Sequence, residues 1–236
     1  MCGIIGFVGD EDAVNYITDG LTILENRGYD SAGIATLSPQ GELVLTKFAS
    51  GDAGDAIEHL KQVAAKHVGH KLGIGHTRWA THGAKTDANA HPHLDSKKRV
   101  AVVHNGVITN YATLKDELQA QGVVFASQTD TEVIAQLIGV ALDRGLELNQ
   151  AVRDTLQKLE GTLGLAIVSP LLPDGIIVAK NGSPIVIGVA EDKAFVASEP
   201  VAFGTSTRDF IALDNGEIAI VRANREGLDL TRLEKA

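Results

Sequence analysis

Met1-Cys2-Gly3-Ile4-Ile5-Gly6 opens the chain, and Cys2 is the only cysteine among its 236 residues. Removal of Met1 would leave the α-amino group of Cys2 free beside its own thiol. A thiol titrates near ~8.5 and an α-amine near ~7.7–8.0, so at neutral pH part of the amine is unprotonated and can take the thiol's proton, directly or through one water. That pair is a nucleophile with a built-in base. A cysteine at position 2 is also met as a small apolar residue or a lipidation site, and the rest of the chain has to decide between these readings.

Outward from this stretch, Cys2 to Gly9 reads as a buried strand ended by Gly9-Asp10. Val14, Ile17, Leu21 and Leu24 then recur at intervals of three and four, which predicts a helix from Ala13 into Asn26. Arg27-Gly-Tyr-Asp-Ser-Ala-Gly33 is too rich in small residues for an element interior and leads to a strand near Gly33–Leu37, a turn at Pro39-Gln40-Gly41 and a strand at Glu42–Phe48. Asp52 to His67 is amphipathic, and Lys71–Thr77 reads as a strand. Residues Arg78 to Pro92 carry neither period, and loops of that length are usually functional. Val100–His104 is strand-like and is expected to stop at the turn dipeptide Asn105-Gly106.

Asn110 is expected to cap a helix carrying Leu114 and Leu118 that closes at Gly122. Thr129-Asp130-Thr131-Glu132 reads as a capping box before a mostly buried helix, with Asp130 in the first turn, and another helix follows through Leu148, Val152, Leu156 and Leu159. From Gly161 the chain turns to short β-rich runs of antiparallel type, and Asn224–Ala236 is charged and ends without a cap. Strands bunched in this way imply stacked helix and sheet layers outside the doubly wound class.

Composition narrows the function classes. A net charge of −9 and 4% aromatic residues give no positive field for nucleic acid or an anionic membrane, so neither partner is expected. No apolar run approaches the ~20 residues of a membrane span, and the first is too short for a signal sequence. One cysteine forms no intrachain disulfide, so a reduced, cytoplasmic setting is expected. No break resembles a linker, and residues 1–236 read as one domain.

Acyl transfer needs a nucleophile, donors where the oxyanion develops and groups that hold the substrate. Asn105-Gly106 offers a side-chain amide and a backbone N–H, or else a plain turn. The guanidinium of Arg78 can grip a carboxylate with two hydrogen bonds, or form a surface ion pair. Asp130 can bind an ammonium or only complement a helix dipole. Thr81 and His82 share the loop of Arg78, and Trp79, the only tryptophan, either covers a site or caps the core. Five of eight histidines fall between positions 76 and 104, but their spacing matches no metal-ligand pattern, so no metal is expected, and no glycine-rich phosphate motif is present.

Met-Cys-Gly-Ile4, Arg27-Gly-Tyr-Asp-Ser-Ala-Gly33, His76-Thr-Arg-Trp-Ala-Thr-His-Gly83, His104-Asn-Gly106 and Thr129-Asp-Thr-Glu132 together resemble, in that order, the N-terminal nucleophile (type 2) glutamine amidotransferases. Within them the likeness is greatest to glutaminase domains of the glucosamine-6-phosphate synthase family. The resemblance implies an α+β fold, a four-layer αββα sandwich with two mainly antiparallel sheets between helix layers. It implies that Cys2 attacks the side-chain amide of L-glutamine, with Asn105 and Gly106 as the oxyanion hole. Arg78, Thr81 and His82 would hold the α-carboxylate and Asp130 the α-amine, while Arg27 and Trp79 shape the nucleophile loop and an ammonia exit. It implies no cofactor. Sugar-phosphate isomerase domains, which these 236 residues do not include, and a homodimer are the partners implied for a full-length protein.

Overall fold

The structure is a computed structural model that describes residues 2–51, 55–79, 83–224 and 227–233. Its elements in order are β1 (Gly3–Gly9), α1 (Ala13–Ile23), β2 (Ser31–Leu37), β3 (Leu43–Ala49), α2 (Ala56–Gln62), β4 (Leu72–Arg78), β5 (His93–Leu94) and β6 (Ala101–Ile108). There follow α3 (Tyr111–Ala120), α4 (Glu132–Asp143), α5 (Leu148–Leu156), β7 (Gly161–Ser169), β8 (Leu172–Asn181), β9 (Val186–Ala190), β10 (Lys193–Ala197), β11 (Asp209–Ala212), β12 (Glu217–Asn224) and β13 (Gly227–Leu233). Among the described residues one sheet runs β11-β9-β10-β1-β4-β2-β3 and the other β13-β12-β8-β7-β6-β5, with antiparallel neighbours throughout.

Strand alternation explains the layering. Ile4 and Val8 of β1, Leu72 and Ile74 of β4, and Ala101 and Val103 of β6 meet in one core between the sheets. The alternate residues Ile5 and Phe7 pack against Val14, Ile17 and Leu21 of α1, and Val100 and Val102 against Ile134 and Ile138 of α4. The order is therefore helices, sheet, sheet, helices, the αββα sandwich expected. Helix α1 lies close on its sheet because β4 shows it glycine: a Cβ on Gly75 would sit 2.5 Å from Ile17 Cγ2.

Several boundaries differ from expectation. The first helix ends at Ile23, and a 3-10 turn over Glu25–Arg27 replaces its last turn. The amphipathic stretch forms α2 only over Ala56–Gln62, followed by a 3-10 turn at Ala64–His67, while residues 52–54 lie outside the described ones. The charged tail supplies β13, an unexpected strand, paired along β12.

Asn105-Gly106 is not a turn. Strand β6 runs through it and pairs Asn105 with Gly164 and Gly106 with Leu163 of β7, so cross-strand pairing overrides the local turn preference. Gly106 meets the resulting demand with φ +135. The capping box does not form either. Thr131 precedes α4 without a side-chain cap, and Glu132 instead accepts from the N–H groups of Ala126 (2.9 Å) and Ser127 (2.6 Å). Asp130 thus lies ahead of the helix, outside its first turn. Asn110 caps nothing with its side chain, which bonds Lys158 O (2.8 Å) and Glu160 N (3.1 Å).

Thr36 Oγ1 lies 2.7 Å from both His67 Nδ1 and His70 Nδ1, and His67 Nε2 lies 2.9 Å from Thr46 Oγ1. Burial pushes His67 down to about 4 and lowers His70. Because these rings bind protons more weakly folded than unfolded, the unfolded chain takes up more protons as pH falls from ~6.5. Stability contributed above that pH is lost progressively down to about 4. His67→Gln, which keeps a donor toward Thr46, should flatten the fall in unfolding free energy, measured by urea denaturation, between pH 7.5 and 5 by ~1–2 kcal/mol. An unchanged slope would show that His67 titrates normally.

Candidate active site

The same alternation that builds the inner core delivers the site. Cys2 shares the face of Ile4, His76 and Arg78 continue the face of Leu72 and Ile74, and Asn105 continues that of Ala101 and Val103. Register aligns them at one end, since Gly3 pairs with Thr77 on β4. Thus three strands from two sheets end their inward faces beside one sulfur atom.

Trp79 N donates to Cys2 Sγ at 3.2 Å, and Asn105 Nδ2 donates to Cys2 O at 2.9 Å. The strand start is anchored by Gly3 N to Thr77 Oγ1 (3.1 Å) and Ile4 N to Ser198 Oγ (3.1 Å). Burial pushes the Cys2 thiol up; the Trp79 N–H and the Arg78 charge oppose this, and Asp30 adds to it. Arg78 is itself 5% exposed, and burial lowers its pKa against the favourable charges of Cys2, Asp30 and Asp130. Arg78 is therefore no surface ion pair. Asp130 Oδ2 accepts from Ile108 N at 2.8 Å, so β6 positions this carboxylate.

The exposed rings of Tyr29 and Trp79 meet edge to face at 5.4 Å beside the sulfur, and Lys85, paired with Asp30, lies over Tyr29. Trp79 is on the surface at 45% exposure and caps no core. Thr81 and His82 lie outside the described residues, as does the side chain of Arg27. Behind the site, His76 Nε2 bonds Asn105 Oδ1 (3.0 Å), His104 Nδ1 bonds Thr131 Oγ1 (3.0 Å) and His93 Nε2 bonds Thr129 Oγ1 (2.9 Å). Among the described residues no three His, Cys, Asp or Glu side chains are grouped as a metal would need.

Lys47 ties the loop before β5 to the sheet through the carbonyls of Ala88 (3.1 Å), Ala90 (2.7 Å) and Pro92 (3.2 Å), and burial lowers it to about 8. Sequence reasoning gave no site role to Lys47, Asp30 or Ser198, and weighed His76 only as a metal ligand. The signal for His76 was present, because it keeps the parity of Leu72 and Ile74. The others depend on contacts between residues far apart in the sequence, Lys47 with Ala90 and Ser198 with Ile4 among them, that no local pattern carries.

An αββα sandwich whose first strand carries a cysteine into the gap between its sheets defines the N-terminal nucleophile class of hydrolase folds. The chain belongs to the glutamine amidotransferase domain family, whose description matches residues 76–205. It is 46% identical over 222 residues, 93% of its length, to the glutamine–fructose-6-phosphate aminotransferase (isomerizing) of Thermosynechococcus vestitus, and spans 35% of that protein. Against the enzyme of the same name from Aquifex aeolicus the identity is 47% over 219 residues, with 36% of that protein spanned. Among solved structures, the B. subtilis glutamine phosphoribosylpyrophosphate amidotransferase in complex with ADP and GMP superposes over 98% of this chain and 49% of its own, at a TM-score of 0.80 and 30% identity. A glutamine aminotransferase class-II domain protein from Silicibacter pomeroyi shares the fold at a TM-score of 0.61 and 17% identity, over 98% of this chain and 99% of its own. The chain spans about a third of the length of the aminotransferases it matches.

Since burial raises the Cys2 thiol and the Asp30 charge adds to it, alkylation of the 236-residue chain by iodoacetamide should rise with pH along a profile displaced upward from that of an ordinary thiol. Asp30→Asn should move that profile down. A midpoint near ~8.5 in both proteins would contradict this electrostatic picture.

Proposed function

We propose that the chain hydrolyses the side-chain amide of L-glutamine to glutamate and ammonia. The observation that carries this reading is the juxtaposition of Cys2 Sγ with the Trp79 N–H, beside Arg78 and the amide of Asn105. With Met1 removed, the Cys2 amine takes the thiol proton and the sulfur attacks the amide carbon, forming an S–C bond and an oxyanion. Asn105 Nδ2 and the Gly106 N–H are the donors for that oxyanion. The C–N bond breaks, ammonia leaves with a proton returned from the amine, and water attacks the thioester to release glutamate and restore the thiol.

Arg78, with Thr81 and His82, binds the α-carboxylate, and Asp130 binds the α-ammonium. Two opposite charges at a fixed separation select an amino acid over a simple amide. Arg27 and Trp79 shape the nucleophile loop and the exit of ammonia. The aminotransferase relatives support an acceptor of the fructose 6-phosphate type, aminated to glucosamine 6-phosphate by isomerase domains of a longer protein in which these residues form one glutaminase domain; a cytoplasmic location and a dimer are part of the same proposal. The phosphoribosylpyrophosphate amidotransferase likeness favours a second acceptor reading, at lower identity. A module that binds glutamine without turnover shares the same recognition residues.

Intact mass establishes whether Met1 is absent, and glutamate release is then measured. Cys2→Ala should abolish release yet retain glutamine binding within about threefold. Asp130→Asn should raise KM for glutamine by roughly tenfold or more, as expected for a lost charge-assisted contact. Processed wild-type protein that releases no more glutamate than the alanine variant leaves only the binding module.

A further inference from the structure

We infer that His76 is a positioning residue for the proposed hydrolysis, which fixes which end of the Asn105 carboxamide faces the reacting sulfur. The inference rests on the glutaminase reading and goes beyond it. The two ends of a carboxamide are nearly isosteric, so packing alone does not choose between them. Hydrogen bonding does. The carbonyl oxygen of Cys2 can only accept, so the Asn105 atom 2.9 Å from it is the amide nitrogen. The amide oxygen then faces His76 Nε2 at 3.0 Å, and that nitrogen has to donate.

His76 is fully buried, and burial lowers its pKa to about 3, so the ring carries a single proton at neutral pH. Its Nδ1 is buried without a hydrogen bond, although the main chain of His104 also approaches the ring. With the proton on Nδ1 instead, two acceptors, Nε2 and Oδ1, would be set against each other. The ring packs against His91, tilted at 32° with centroids 4.2 Å apart, which in turn meets His93 at 4.7 Å. Asn105 is thus fixed at its oxygen by His76 and at one N–H by Cys2 O, so the direction of its second N–H is set. Flipped, the same side chain would turn an oxygen toward a developing oxyanion and oppose the reaction.

Two measurements on the processed chain test this. In long-range nitrogen-15 NMR, His76, assigned by the peak missing from His76→Gln, should be the neutral Nε2–H tautomer from pH 6 to 8. An Nδ1–H ring or an imidazolium would overturn the inference with no reference to activity. In glutamate release, His76→Gln keeps a donor near the Nε2 position and should hold kcat within about threefold of wild type. His76→Leu should lower kcat on the order of ten- to a hundredfold with KM for glutamine within about threefold, the signature of a transition-state donor misplaced. Wild-type kcat in His76→Leu, a loss confined to KM, or a folded His76→Gln protein as impaired as His76→Leu would each overturn it. Wild-type protein without glutaminase activity would overturn the glutaminase reading and the catalytic consequence drawn here, while leaving the tautomer result to stand or fall alone.

Discussion

The period-two alternation of three strands is the constraint on which this molecule depends. In β1, β4 and β6 one face is given to the contact between sheets, and the residues that continue those faces at one end are Cys2, His76 with Arg78, and Asn105. A one-residue slip of β1 against β4 would turn Cys2 toward the helix layer and expose the face that Ile4 and Val8 now bury. The site is therefore held in register by the same apolar burial that holds the sheets together.

That arrangement places polar groups at the end of an apolar core, and behind the charges of Arg78, Asp30 and Asp130 the layer is built from neutral rings. His76, His91, His93 and His104 are all lowered by burial. Neutral rings can donate and accept without the desolvation penalty of an ion. The loop that brings His91 to this layer is bound by Lys47 and by Asn89, whose side chain spans Ala84 O (2.9 Å) and Gln128 N (2.8 Å). Gly33 belongs to the same device. A Cβ there would lie 2.0 Å from His91 O, so glycine permits the loop to touch the sheet.

Long, strongly periodic elements were legible in the sequence because their signals are local. The stripe of Val14, Ile17 and Leu21 gives α1, and the run Ile4–Val8 gives β1. The errors fall where distant partners override local chemistry. Asn105-Gly106 carries one of the chain's Asn-Gly turn signals, yet eight residues of pairing with β7 hold it extended. Glu132, which reads as half of a capping box, turns to Ala126 and Ser127. Strand β13 was missed because its charged composition suits an edge strand as well as a tail. Of the candidate site, motif order singled out Cys2, Arg78, Asn105 and Asp130, which the fold brings near one another, while Asp30, Lys47 and Ser198 make contacts visible only in three dimensions.

The resting electrostatics also constrain how a thiol so placed can react. Burial and the nearby Asp30 charge both favour the protonated sulfur, and one backbone N–H, the chain-terminal ammonium and Arg78 offset only part of that in the chain that still carries Met1. A stored thiolate, of the kind that an electropositive pocket stabilises, does not fit such surroundings. The proton has instead to be withdrawn during attack by an acceptor already in reach, which suits an α-amine on the same residue better than a distant side chain. The buried histidines cannot serve. His76 is committed to Asn105, and His104 Nε2 must donate to the carbonyl of Thr162, an acceptor 3.2 Å away. On the proposed reading these rings orient groups around the reaction, and the sulfur's base is its own terminal nitrogen.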